Sequence, residues 1–154
     1  MTLTVDRTSP TTLVCSRYFN APPERVWAAH TRPDLLKKWQ TGPDGWSMPE
    51  CEVDLRPGGH MRLVWREDAT GNGFHLTARI EVCEPPHRIV HVETMHLPDP
   101  TPENRVETRF DPEGPGTRMT MTMQVDAPEI MEAMIATGMT DGMEASYARL
   151  DASF

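Results

Sequence analysis

Phe74-His75-Leu76-Thr77-Ala78-Arg79-Ile80-Glu81-Val82 alternates apolar and polar residues without a break. Successive side chains of an extended strand point to opposite faces. Phe74, Leu76, Ala78, Ile80 and Val82 therefore line one face, and His75, Thr77, Arg79 and Glu81 the other. One dry face and one wet face predict an antiparallel sheet covered on one side. The same period of two runs for about 75 residues from Met48 onward. Its strands are predicted at Met48–Leu55, His60–Arg66, Phe74–Val82, Arg88–Met95, Arg105–Phe110 and Thr117–Val125. Between them lie Arg56-Pro57-Gly58-Gly59, Ala69-Thr70-Gly71-Asn72-Gly73, Glu84-Pro85-Pro86, the proline-rich Leu97–Pro102 and Asp111–Gly116. Such clusters supply the φ values that turns need and withhold the donors that a strand needs.

Upstream, Thr11–Phe19 is rich in β-branched and aromatic residues and predicts a further strand. Asn20-Ala21-Pro22-Pro23-Glu24 then reads as a helix start, with Asn20 as the cap and prolines in the first turn. Pro33 separates this helix from a second one carrying Leu35, Leu36 and Trp39. Residues 1–10 are polar, end in Ser9-Pro10, and are expected to form a flexible tail. Downstream of Pro128 the period changes to that of a helix, with Met131, Ile135, Gly138, Gly142, Ser146 and Arg149 or Leu150 on one stripe. This helix is the element left to cover the sheet, and Gly138 and Gly142 are expected to kink or break it where backbone approaches the sheet. The fold class is α+β, a curved antiparallel sheet of about seven strands on a long C-terminal helix. Residues 11–154 are read as a single domain.

Composition narrows the function. Fifteen Lys and Arg against 23 Asp and Glu give a net charge of −8, and the basic residues, among them Arg17, Arg56, Arg66 and Arg88, are scattered. A phosphate backbone is therefore an unfavourable partner. Cys15, Cys51 and Cys83 are odd in number and have no metal-ligand spacing, which fits a reducing compartment and predicts no metal or other cofactor. No apolar run is long enough to span a bilayer, and Met1–Asp6 lacks the pattern of a secretory leader, so a cytoplasmic location is expected.

The element order is that of the helix-grip, START-like (SRPBCC) superfamily, and particular motifs sharpen the match. Phe19–Trp27 (FNAPPERVW), Thr31-Arg32-Pro33, Asp54–Gly59, Glu81–Pro86 with Arg88–Val90, Gly116–Arg118, and Gly138–Gly142 with Tyr147 and Leu150 resemble the family of activator of heat-shock ATPase homologues. The likeness spans about residues 11–152. It implies a pocket between sheet and C-terminal helix. It also implies a chaperone as a possible partner. The eukaryotic activator engages its chaperone through a separate N-terminal domain, whereas about ten residues precede the first predicted strand here. Chaperone activation is therefore the last-ranked expectation.

Within that frame, the strand parity of Thr117–Val125 puts Met119, Met121 and Met123 on one face. Met61 on its strand and Met139 and Met143 on the covering helix share this character. Eleven methionines are many for this length, and flexible thioethers suit surfaces that accept varied apolar shapes; they also fill irregular solid cores. His91 and Glu93 share a strand face with Ile89 and Met95. If that face is inward the two enter the pocket, and if Val90 and Val92 point inward both are solvated. The resemblance, which places apolar residues at these two positions, implies the inward orientation. His91 and Glu93 are then a polar anchor or a general acid/base pair. Leu63, Trp65 and Tyr147 complete the expected lining, and Trp39 and Trp46, which bracket a Gly/Pro loop, are candidates for its mouth. His75, His87, His91 and His96 lack the spacing of a metal motif.

Three functions remain in order: binding of a small, largely apolar molecule; a cyclase- or hydrolase-type enzyme using His91 and Glu93; and a protein-interaction module. A monomer or a homodimer suits all three. The charge balance yields one direct test. Titration of labelled duplex and single-stranded DNA at low salt gives no saturable binding, and micromolar affinity with a steep salt slope would contradict it.

Overall fold

A computed structural model describes residues 2–154. It contains strands β1 (Thr4–Ser9), β2 (Thr12–Phe19), β3 (Trp46–Val53), β4 (His60–Glu67), β5 (Gly73–Glu84), β6 (Arg88–His96), β7 (Asn104–Glu113) and β8 (Gly116–Gln124). Its helices are α1 (Pro23–Thr31), α2 (Pro33–Trp39), α3 (Pro128–Ala136) and α4 (Met139–Asp151). The eight strands form one antiparallel sheet in the order β1-β2-β8-β7-β6-β5-β4-β3. β3 through β8 are thus a meander, as their period-two pattern predicts, and β2 closes back onto β8. The arrangement is the α+β helix-grip fold with one strand more than expected.

The extra strand is a correction. Thr4–Ser9, expected to lie in a flexible tail, pairs antiparallel with β2, Thr4 opposite Ser16 and Ser9 opposite Thr12. Thr4, Val5 and Thr8 favour extended backbone, and the outer edge of β2 offers them unpaired donors and acceptors. Just before it, the Leu3 amide donates to Glu144 Oε2 at 2.8 Å, tying the strand to α4. A second correction concerns α1. Pro22, not Asn20, is its N-cap, and the Pro22 carbonyl accepts from the amides of Arg25 and Val26 at 3.0 and 3.2 Å.

The C-terminal segment is two helices rather than one. Gly138, with φ of 76°, separates them, and its amide donates to the Ile135 carbonyl at 3.1 Å. A residue in this left-handed conformation after a last turn ends many helices, and glycine enters it without strain. A Cβ at Gly138 or Gly142 would meet nothing within 4 Å, so conformation rather than close approach to the sheet decides the break. No helix among the described residues is long and apolar enough to cross a membrane.

All four helices pack on one face of the sheet. Val26, Trp27, Leu36 and Trp39 from α1 and α2, with Tyr147 and Leu150 from α4, join Phe19, Ile89, Phe110 and Met119. Met131 of α3 joins Leu13, Cys15, Val106, Met123 and Val125. A third cluster, Met48, Leu63, Trp65, Leu76 and Ala78, lies on β3–β5.

His30 sits inside the first cluster, ringed by Phe19, Trp39, Phe110 and Tyr147. Its Nδ1 lies 2.8 Å from the Val26 carbonyl, so Nδ1–H donates there, and Nε2 is buried without a partner. Burial lowers its pKa from 6.5 to about 4, partly opposed by the Val26 hydrogen bond. The folded state therefore resists protonation that the unfolded chain accepts. The resulting stability is present above pH 6.5 and is lost as pH falls toward 4, by up to about 3 kcal/mol. In denaturant titrations across that window, His30→Gln flattens the fall in stability relative to the parent. Parallel profiles for the two proteins would contradict this assignment.

Candidate functional site

Strand register settles the orientation of the central pair. His91 stands opposite Ile80 of β5 and Val106 of β7, and Glu93 opposite Ala78 and Asn104. Cross-strand partners share a face, and Ile80, Ala78 and Val106 are buried on the helix-covered one. His91 and Glu93 therefore point inward. Val90 and Val92 are on the opposite face yet are buried as well. The ion-paired side chains of that face account for it: Arg88 with Glu107, Arg105 with Glu81, and Arg79 with Glu103. Their aliphatic stems cover the valines while their charged ends stay in water.

His91 Nε2 lies 2.8 Å from Glu93 Oε1, and the two side chains are 13% and 20% exposed. A carboxylate only accepts, so Nε2 carries the proton and donates. His91 Nδ1 is buried and has no partner. Beside Glu93, Asn104 is 6% exposed and its Oδ1 is likewise buried and unpartnered. Thr108, four residues along β7 on the same face, is also buried. This polar group lies where the apolar layer divides, with Val106 in the cluster to one side and Ala78 in the cluster to the other.

From α4, Tyr147 stacks on Trp39 with ring centroids 5.5 Å apart. Burial raises the pKa of its phenol, Cys15 and Glu93 add to the effect, and Arg17 opposes it. Arg17, read from the sequence as one of the scattered basic residues, is 2% exposed on the inner face of β2. Its Nε and Nη2 donate to Glu144 at 3.0 Å each, and Nη1 lies 3.3 Å from Asp151. The hydrogen bond from Arg17 holds the Glu144 carboxyl below the usual carboxylate range. A signal for Arg17 was present in the sequence. It shares parity with Leu13, Cys15 and Phe19, so an inward strand face carries a charge. Asn104 and Thr108 share parity with Val106 and Phe110 in the same way.

The remaining expected lining residues fall into different groups. Met119 and Met123 are buried, and Met121 is half-buried between the clusters that hold them. Met139 and Met143 are half-buried against the same clusters. Trp39 is buried, its Nε1 donating to the Ala29 carbonyl at 2.9 Å. Trp46, Met61, Leu63 and Trp65 all belong to the third cluster, apart from Trp39. Trp65 stacks on Phe74 and donates to the Gln40 carbonyl at 2.8 Å. His75 and His96 stack with centroids 4.2 Å apart, on the strand face opposite Leu76 and Met95. Two open grooves lie on the surface, one around Arg7, Pro10 and Glu132 and one around Val64, Trp65 and Phe74. Neither contains His91, Glu93 or a methionine.

Comparison with known proteins agrees with this architecture. A crystal structure of a protein from Rhodobacter sphaeroides superposes with a TM-score of 0.91 at 36% identity, covering 98% of this chain and 97% of that one. Protein NE0264 from Nitrosomonas europaea gives 0.81 at 27% identity, with 95% of each chain covered. The AHSA1-like protein from Aeromonas hydrophila, at 21% identity and a TM-score of 0.73 over 92% of this chain and 93% of its own, shares the fold. No curated protein matches the sequence. Residues 20–154 match the family described as Activator of Hsp90 ATPase homolog 1-like protein, and the chain belongs to that family.

Proposed function

We infer that the protein binds a small, largely apolar molecule between the inner face of the sheet and the α3–α4 pair. The observation that carries this reading is the polar group of His91, Glu93 and Asn104, with unpartnered atoms at His91 Nδ1 and Asn104 Oδ1, set in a largely apolar layer. A layer whose only task is packing gains nothing from such groups, because each buried polar atom without a partner costs about 1–3 kcal/mol. A binding site gains orientation from them, since ligand pockets combine apolar walls with a few placed polar groups. Half-buried Met61, Met121 and Met143 supply walls that can move. Ligand entry in this reading proceeds by rotation of thioether side chains rather than into a preformed void.

A second reading, acid/base catalysis, is favoured by the 2.8 Å contact between His91 and Glu93. Native mass spectrometry of protein purified from its own host separates the two. A retained molecule whose mass is unchanged after prolonged incubation supports binding alone, whereas its replacement by a lighter hydrolysis fragment, or by a species one water lighter through cyclisation, reveals catalysis.

The face itself is tested by two truncations. Met119→Ala, at a fully buried position, costs about 2–5 kcal/mol, as other large-to-small core changes do. Met121→Ala costs under about 1 kcal/mol and changes the affinity of an environment-sensitive apolar dye. Loss of several kcal/mol from Met121→Ala, with no dye bound by either protein, would mark the layer as solid core.

A further inference from the structure

We propose that the polar end of the bound molecule is a protonated amine, seated on the carboxylate of Glu93. The inference rests on the reading that the space under α4 is a ligand site, and it concerns which chemistry that site selects.

The argument begins with what each polar atom can offer. Glu93 spends Oε1 on His91 Nε2–H, and Oε2 has no hydrogen-bond partner among the described residues. The buried, unpartnered side-chain polar atoms are Arg17 Nη1, His30 Nε2, His91 Nδ1 and Asn104 Oδ1. Glu93 Oε2 is not one of these, and with the side chain 20% exposed it is the part of the group that a ligand can reach. It offers only lone pairs. An imidazolium would bury a second N–H, at Nδ1, with no acceptor to receive it. The neutral ring instead leaves a lone pair at Nδ1. Asn104 Oδ1, opposite Glu93 in the register, is another acceptor. Beside the Glu93 carboxylate the site thus offers acceptors at His91 Nδ1 and Asn104 Oδ1 and one neutral donor group, Asn104 Nδ2, and it is the carboxylate that favours a ligand bringing donors and positive charge.

The neighbouring ionisable groups reinforce this. Arg17 of β2 is the cation on this inner face, and Glu144 and Asp151 of α4 already hold it. One guanidinium therefore stands against three carboxylates, Glu93 included. Glu144 and Asp151 already match the charge of Arg17, although its Nη1 makes no hydrogen bond, so an anionic ligand there would compete with two carboxylates. Tyr147 of α4, whose phenol is kept in its neutral form by burial, adds a hydroxyl and the face of an aromatic ring. Aromatic faces attract ammonium groups and do not attract carboxylates. Methionines on β4, β8 and α4 are left to cover the apolar body. A charge-assisted hydrogen bond in this partly desolvated setting is stronger than a neutral one.

The test uses one apolar body with three head groups: naphthylmethylamine, naphthylmethanol and naphthoic acid, titrated into the full chain at neutral pH. The amine binds about tenfold or more tightly than the alcohol, as a charge-assisted hydrogen bond implies, and the acid binds weakest. The preference persists when salt is raised, which distinguishes the inner carboxylate from attraction to the acidic surface. Glu93→Gln, nearly isosteric, removes the preference while retaining affinity for the alcohol, and Glu103→Gln on the outer face retains the preference. Equal binding of amine and alcohol, tighter binding of the acid, or a preference unchanged in Glu93→Gln overturns the assignment and leaves the apolar site standing. If none of the three probes binds, the site itself is absent and both readings fall. The ranking on the unaltered protein decides the matter even if a variant folds poorly.

Discussion

The guanidinium of Arg17 is the group around which the helical layer is placed. It projects from the inner face of β2 and receives carboxylates of Glu144 and Asp151, seven residues apart on α4. A buried cation is tolerated only when its charge and its donors are matched, and removing a partner from such a cluster is far more disruptive than never having built it. That requirement sets the height and rotation of α4 over the sheet. With the helix so placed, Tyr147 comes down on Trp39, and Leu150 reaches the cluster around Phe19 and Phe110. Glu144 extends the same constraint outward by accepting the Leu3 amide just before β1. One ion cluster thus relates the first strand, the second strand and the last helix, elements that lie at opposite ends of the chain.

The apolar layer beneath the helices falls into three clusters rather than one. Tyr147 and Leu150 of α4 join a cluster that takes in Phe19 of β2, Met119 of β8, Phe110 of β7 and Ile89 at the start of β6. On the far side the third cluster begins at Ala78 and is closed by its own aromatic stack of Trp65 on Phe74. β6 lies between these halves, and it is there that His91 and Glu93 occupy inward positions. A sheet whose inner face was simply to be packed would place apolar residues at the centre, where burial is most readily achieved. Polar residues at that point give up apolar burial at the centre of the sheet.

The methionines bear on the same property. A leucine or isoleucine layer has few rotamers and resists rearrangement, whereas thioethers have several of similar energy. Buried Met119 and Met123 anchor the inner face of β8, while half-buried Met121 and Met143 border the polar centre. The rigid and the adaptable parts of the lining therefore alternate along one strand. Related folds from Rhodobacter sphaeroides and Nitrosomonas europaea show that the scaffold itself is a recurrent solution. Fold alone leaves the chemistry of each site to its own residues.

The sequence by itself determined what depends on neighbours along the chain. Period-two alternation gave the strands of the meander, prolines and glycines gave the turns, and Gly138 gave the break between α3 and α4. Parity also confined Met119, Met121 and Met123 to one face, because that follows from backbone geometry alone. Three things were decided only by tertiary structure. β1 became a strand because the edge of β2 was there to pair with it, and its own polar residues could not announce that partner. His91 and Glu93 were equally compatible with either orientation, since apolar residues flank them on both parities; register against Ile80, Ala78 and Val106 chose the inward one. Arg17 is the clearest instance. Local pattern shows a charge on an apolar parity, but a charge is stable there only because Glu144 and Asp151, more than a hundred residues away, arrive on a helix to neutralise it. Pairing of that kind is a property of folded space, and no local stretch of sequence contains it.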